Sequence, residues 1–196
     1  MNEGDVNYNQ FTRFYTNKLS EEHINGMIEY IDSIPSIWQM GKIGAGTLVT
    51  ERHCNIRWIK DVKVKKFVWN EFLRANQDED FGFDIDNLED IQYTQYNTGM
   101  HYNWHNDTLR RDNKIRKLSM TIVLNDEFEG GEFEVGENQG FFDNLGGYSL
   151  RFKTHKINLK KGDMVVFPSS LDHKVNVVTK GQRNVLVAWA WGPLFK

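Results

Sequence analysis

From about Leu88 onward the chain consists of short apolar segments punctuated by turn residues, and this pattern restricts the fold more than any other feature. The clearest segment is Lys117 to Leu124. Leu118, Met120, Ile122 and Leu124 fall on one face of a strand, and Ser119, Thr121 and Val123 on the other. Ile91–Tyr96, Gly131–Val135, Tyr148–Phe152, Lys156–Leu159, Met164–Phe167, Lys174–Val178 and Asn184–Trp191 read the same way. Eight short strands in roughly a hundred residues, joined by Gly-Gly and Asp/Asn-rich turns, predict a sandwich or jelly roll and argue against a parallel α/β sheet.

The first third reads as helical. Ser20 stands as N-cap before Glu21 and Glu22, Leu19 and Ile24 are placed as a hydrophobic staple, and Ile24, Met27, Ile28, Ile31 and Ile34 recur at helical spacing up to Pro35. A second helix is expected from about Asp61 to Asn76 on the stripe Val64, Phe67, Val68, Phe72, with Lys60, Lys63, Lys65 and Lys66 on its solvated side. With no repeat, no low-complexity tract and only three prolines, 1–196 is expected to be a single domain: helices and support over 1–88, a β-barrel core over 89–196.

Composition narrows the function classes. The chain is 39% hydrophobic and carries Lys+Arg 24 against Asp+Glu 27, a net charge of −3, so no global basic excess points to nucleic acid. No apolar run reaches the roughly 18 residues of a membrane span, and the start Met1-Asn2-Glu3-Gly4-Asp5 lacks a signal pattern. With the lone Cys54, this predicts a cytoplasmic protein with no membrane partner. Aromatic residues reach 13%.

Two segments could carry chemistry. In Tyr102-Asn103-Trp104-His105-Asn106-Asp107, His105 and Asp107 lie two apart, so an extended chain sends both to one face. One imidazole beside one carboxylate supplies two thirds of a facial triad for non-haem Fe(II), although His-x-Asp alone also describes an ordinary loop hydrogen bond. Later, Lys161-Gly162-Asp163 turns into the apolar run Met164–Phe167, Pro168 breaks it, His173 opens the next strand, and Arg183 opens the last. Arg183, Val185, Val187, Trp189 and Trp191 share one face at the two-residue period. An Arg ending an apolar inward row needs an anion, which a dicarboxylate would supply through a bidentate pair.

These residues resemble the Fe(II)- and 2-oxoglutarate-dependent oxygenases, in particular their prolyl 4-hydroxylase-like branch. The resemblance runs from Tyr96-Asn97-Thr98-Gly99 through Tyr102, His105 and Asp107, then Arg116–Ser119, Gly130-Gly131-Glu132, Lys161-Gly162-Asp163, His173, Gly181, Arg183 and Trp189, about half the chain. It implies a mostly β double-stranded β-helix, a cupin-like jelly roll buttressed by the N-terminal helices. It also implies Fe(II) held by His105, Asp107 and His173, with no catalytic residue beyond these ligands. Arg183 would pair with the distal carboxylate of 2-oxoglutarate, with Tyr96 and Ser119 as hydrogen-bonding neighbours and Trp189 as a wall. Thr121, on the face of Ser119, could take its place. Several relatives carry a Tyr or Thr where this chain has Val123 and Val187. The implied reaction uses O2 and 2-oxoglutarate, releases succinate and CO2, hydroxylates an aliphatic C–H and takes ascorbate as reductant.

For the substrate, two readings stand. A prolyl or other side chain in a protein or peptide would dock at an aromatic mouth of Tyr102, Trp104 and Trp191, with Arg57 and Trp58 and the loop from Gly136 to Gly147, including Phe141 and Phe142, as further contacts. Alternatively, a nucleobase or small molecule would meet the basic stretch Arg110, Arg111, Lys114, Arg116 and Lys117, which reads equally as a solvated hairpin. A non-catalytic binding module has no need for a triad and a buried Arg. His23, His53, His101 and His155 lack partners at ligand spacing, and Cys54 reads as an unreactive thiol.

Overall fold

The computed structural model describes residues 15–41, 51–78, 81–142 and 148–195, and the side chains of these except 137–151. In chain order the elements are β1 (Tyr15–Lys18), α1 (Glu21–Ser33), β2 (Gln39–Met40), β3 (Arg52–His53), β4 (Asn55–Ile59), α2 (Val62–Asp78), β5 (Asn87–Leu88), β6 (Ile91–Asn97), β7 (His101–His105) and β8 (Arg110–Arg111). The remainder are β9 (Lys114–Val123), β10 (Phe128–Gly130), β11 (Phe133–Phe142), β12 (Tyr148–Ile157), β13 (Asp163–Pro168), β14 (Asp172–Val175) and β15 (Val178–Pro193).

Both helices form where the periodicity places them. The Ser20 hydroxyl accepts the His23 amide at 3.2 Å, capping α1, and Ile24 and Ile31 bury its inner stripe. Asp61 caps α2, accepting the amides of Lys63 and Val64 at 2.9 and 3.1 Å, and also accepts the Tyr30 hydroxyl at 3.1 Å, which ties the helices together. Val64, Val68, Phe72 and Ala75 then face the core.

The strands form two antiparallel sheets. The larger runs β1-β13-β9-β15-β6-β4-β2, with β5 and β10 also on β15 and β8 on β9, and the smaller runs β12-β11-β14-β7-β3. The chain alternates between them, from β6 to β7 to β9 to β11 and from β13 to β14 to β15, which is the weave of a double-stranded β-helix. Alternation along β9 separates two cores. Leu118, Met120, Ile122 and Leu124 pack with Leu186 and Ala188 under the helices. Val123, Val165, Phe167 and Val185 meet Phe133 and Val135 of the smaller sheet. The mostly β architecture buttressed by helices is therefore as expected from the sequence.

Three details differ from the sequence reading. The first 88 residues supply strands to both sheets, notably β4 and β3, which short length and mixed polarity conceal. Tyr148–Phe152 and Lys156–Leu159 are largely one strand, β12, unbroken because Lys153–His155 keeps pairing with Val135–Glu137. Much of the expected loop from Gly136 is a ribbon, with Glu137–Phe142 paired to Tyr148–Lys153. The side chains of Phe141 and Phe142, and residues 143–147 entirely, lie outside the described residues.

Candidate active site

Neighbouring strands β7 and β14 bring the two histidines together. His105 lies opposite His173 and Tyr102 opposite Val175, so Asn103 and Trp104 both face the single residue Lys174. This bulge puts Tyr102 and His105, three positions apart, on one face, where their rings stack with centroids 3.4 Å apart. It also exposes the Asn103 carbonyl to His105 Nδ1 at 2.7 Å, and His173 Nδ1 meets the Leu171 carbonyl at 2.9 Å. A carbonyl can only accept, so each Nδ1 carries the proton and each Nε2 lone pair is left for a ligand.

Those Nε2 atoms face one carboxylate. His105 Nε2 is 3.9 Å from Asp107 Oδ1, and His173 Nε2 is 3.5 Å from Asp107 Oδ2. The donor atoms of all three residues lie within 4.8 Å of one another. Asp107 sits beyond the end of β7. Its amide donates to the Ser169 carbonyl at 2.8 Å, and its Oδ2 accepts the Ser119 hydroxyl at 2.7 Å, which is itself 3.0 Å from Ser169 Oγ. Burial first, then the facing His173, pushes His105 down to about 3, so the imidazole is neutral. Burial opposes ionisation of Asp107, but the two imidazoles and the Ser119 hydroxyl outweigh it and hold its pKa below the usual carboxylate value. Two imidazoles and an ionised carboxylate on one side suit a divalent transition metal and leave positions open on the other.

The same cavity, of about 460 Å³, is closed by the inner face of the larger sheet. Arg183 on β15, opposite Tyr96, is 2% exposed, and its Nη1 makes no hydrogen bond. Burial lowers its pKa to about 10, and no carboxylate among the described residues pairs with it. An uncompensated buried guanidinium costs several kcal/mol, so the position fits an anionic ligand in the cavity. Burial likewise raises the Tyr96 phenol, keeping it a donor. Gly131, at φ +66°, lets the chain pass: a Cβ there would come within 2.9 Å of Arg183 Cδ.

Tyr96, Tyr102 and Trp189 line this cavity with the triad and Arg183, as does Trp58. Four expected contacts lie elsewhere. Ser119 is beneath Asp107, bonded to it and out of the cavity, and the wall position passes to Thr121. Arg57 points to the opposite face of β4, where it pairs with Asp32 at 2.6 Å and stacks on Tyr93, because neighbours in a strand alternate. Trp104 is turned to the outer face by the β7 bulge and packs edge-on against Phe152 with Lys174 over its ring. Trp191 leaves the inward row because β15 has an irregularity between Ala190 and Trp191. Its indole donates to Glu89 at 3.0 Å.

Sequence reading missed Arg52, Glu89 and the role of Arg116. Arg52 lies on the two-residue β3, with its guanidinium 4.7 Å from the Tyr102 ring. Arg116 makes two hydrogen bonds to Glu89 Oε2, at 3.0 and 2.8 Å, and stacks 4.0 Å over Trp189. Nothing local marks Glu89, which precedes a strand and meets Arg116 from 27 positions away.

Comparison with known proteins agrees with this geometry. Residues 91–191 match the model of the 2OG-Fe(II) oxygenase superfamily. A PKHD-type hydroxylase of Prochlorococcus marinus is 29% identical over 164 residues, which are 78% of this chain and 65% of the relative. The chain thus spans a little under two thirds of that relative's length. A viral collagen prolyl hydroxylase from Paramecium bursaria Chlorella virus-1, solved as its 2OG complex, superposes with a TM-score of 0.62 at 19% identity, covering 91% of this chain and 96% of that one. A prolyl hydroxylase from Trichoplax adhaerens, solved with a hypoxia inducible factor oxygen degradation domain peptide fragment, gives 0.67 at 15% identity over 92% and 83%. Because the family model covers just over half of the 196 residues, the chain belongs to the 2OG-Fe(II) oxygenase superfamily.

Proposed function

We propose that this protein is an Fe(II)- and 2-oxoglutarate-dependent hydroxylase of an aliphatic C–H in a protein or peptide side chain, with prolyl as the leading candidate. The observation that carries the reading is one cavity holding both a His105, Asp107, His173 donor set and a buried Arg183 that has no carboxylate partner among the described residues. His105 Nε2, His173 Nε2 and an Asp107 oxygen would hold the metal. Arg183 would take the distal carboxylate of 2-oxoglutarate, with Tyr96 beside it and Thr121 on the wall. When bound, these two ligands and O2 supply the oxidation, with succinate and CO2 as co-products and a hydroxyl placed on the substrate.

The chain's own residues orient and shield. The Asn103 and Leu171 carbonyls fix both imidazoles, Ser119 fixes Asp107, and Val185, Val187, Phe133 and Trp189 exclude water from the cavity. The prolyl hydroxylase folds among its structural neighbours, one solved with a peptide fragment, support a peptide substrate. The nucleobase reading loses support because Lys114 pairs with Asp86 at 2.8 Å and Arg116 with Glu89, so much of the basic stretch is neutralised. Ascorbate as reductant and a cytoplasmic setting complete the proposal. The lone Cys54 is buried and unpaired by any disulfide, which suits reducing surroundings.

The test is mass spectrometry of a peptide library and a cell extract incubated with the protein, Fe(II), ascorbate and 2-oxoglutarate. Peptide products heavier by about 16 Da, absent with His105→Ala or Asp107→Ala, are expected. Products confined to nucleobases or small molecules would overturn the peptide assignment, and no oxygenated product at all would overturn the function.

A further inference from the structure

The cavity lining carries a positive excess, although the chain has a net charge of −3. Leaving Arg52 aside, its described lining sets Arg111, Arg116 and Arg183 against two carboxylates, Glu89 and Asp107, an excess of one positive charge. Loading does not remove the excess, since Fe(II) brings two positive charges and 2-oxoglutarate two negative ones. Arg183 answers the co-substrate from the buried end. The remaining imbalance lies towards the opening, where Arg111 has a side chain 64% exposed and stands 4.0 Å from Glu89 and 5.5 Å over Trp191. There Glu89 is already engaged by Arg116 through two hydrogen bonds and by the Trp191 indole. A third ligand therefore enters a low-dielectric cleft whose field favours negative charge.

We propose that the substrate is a peptide carrying an acidic residue next to the hydroxylated one, and that Arg111 at the opening selects it. This rests on the hydroxylase reading above and names the substrate class for that site. A single carboxylate fits better than a nucleic-acid backbone. Carboxylates of Glu89 and Asp86 flank the basic hairpin, and Lys114 is held by Asp86 at 2.8 Å, so a run of phosphates would lie against negative charge. Charge complementarity of this kind rejects cationic sequences as well as attracting acidic ones.

The experiment captures a peptide library, with a fixed central proline and randomised flanks, on protein loaded with Mn(II) and 2-oxoglutarate, and reads the bound fraction by mass spectrometry. Labelled oligothymidylate is measured in parallel. Asp and Glu are expected to be enriched about tenfold over Lys and Arg at one flanking position. Arg111→Glu should abolish or invert the enrichment, and Arg110→Glu, an exposed neighbour outside the cavity lining, should preserve it. No enrichment, enrichment of basic residues, equal loss in both variants, or tighter salt-sensitive binding of the oligonucleotide would overturn the proposal. Because the charges of metal and co-substrate cancel, the same ranking is expected without them. Failure to bind Mn(II) and 2-oxoglutarate would thus count against the hydroxylase reading, while the peptide ranking decides this one.

Discussion

Ser119 shows how a residue outside the cavity can govern it. Its hydroxyl donates to Asp107 Oδ2, lies opposite Trp189 on β15, and is fully buried, so water cannot take over its bond. Ser119→Ala should weaken Mn(II) binding about 10- to 100-fold, as loss of an outer partner of a metal ligand does, and lower stability by only about 1–3 kcal/mol. A titration followed by the Mn(II) EPR signal checks this. Unaltered affinity would show that Asp107 is held in place without the Ser119 hydroxyl. The sequence placed Ser119 on the correct face of β9 but gave it to the co-substrate. Alternation reveals which way a side chain points, not how deep in the cavity it stands. The same limit explains Arg57, where adjacency to Trp58 suggested a shared role that strand geometry forbids.

At the scale of elements, the triad depends on irregularities that periodicity does not encode. His105 reaches its partners through the Asn103/Trp104 bulge, and Asp107 through a loop hydrogen bond after β7 ends, so the same-face argument for His-x-Asp described the outcome without its cause. The long regular elements were legible. α1, α2 and β9 are where their 3.6- or 2-residue patterns place them, and β15 contains the expected Asn184–Trp191 but begins earlier, at Val178. Two-residue strands such as β3 carry no period, which is why Arg52 was missed. The turn before β11 offers a test. Gly131 has φ +66°, and an added Cβ would meet Arg183 Cδ and Val178 Cγ2 at 2.9 Å each. Gly131→Ala should lower stability by about 1–3 kcal/mol and weaken 2-oxoglutarate binding while Mn(II) affinity holds, since the displaced group is Arg183 and not the triad. Parallel thermal melts and ligand titrations separate the two effects, and equal loss of both affinities would contradict that assignment.

Across the whole molecule, the two sheets divide the labour. The outer face of the larger sheet is covered by α1 and α2 and supplies much of the apolar core, and its inner face meets the smaller sheet around the cavity. The aromatic content follows that division. Phe72 packs beneath the helices, whereas Tyr96, Tyr102, Trp58 and Trp189 wall the cavity. The N-terminal region contributes to both sides, so β3 and β4 set part of the site that the sequence assigned to the later half. On the proposed function, one cavity binds a metal and a dicarboxylate at distinct ends. The direct measurement is a calorimetric titration of 2-oxoglutarate into Mn(II)-loaded protein, alongside Asp107→Ala and Arg183→Ala. Wild type should bind one equivalent. Arg183→Ala should retain Mn(II) but lose about 100-fold in 2-oxoglutarate affinity, and Asp107→Ala should lose the metal. Wild-type protein that takes up neither ligand, or an Arg183→Ala protein that binds 2-oxoglutarate as tightly as wild type, would overturn the proposed two-ended site.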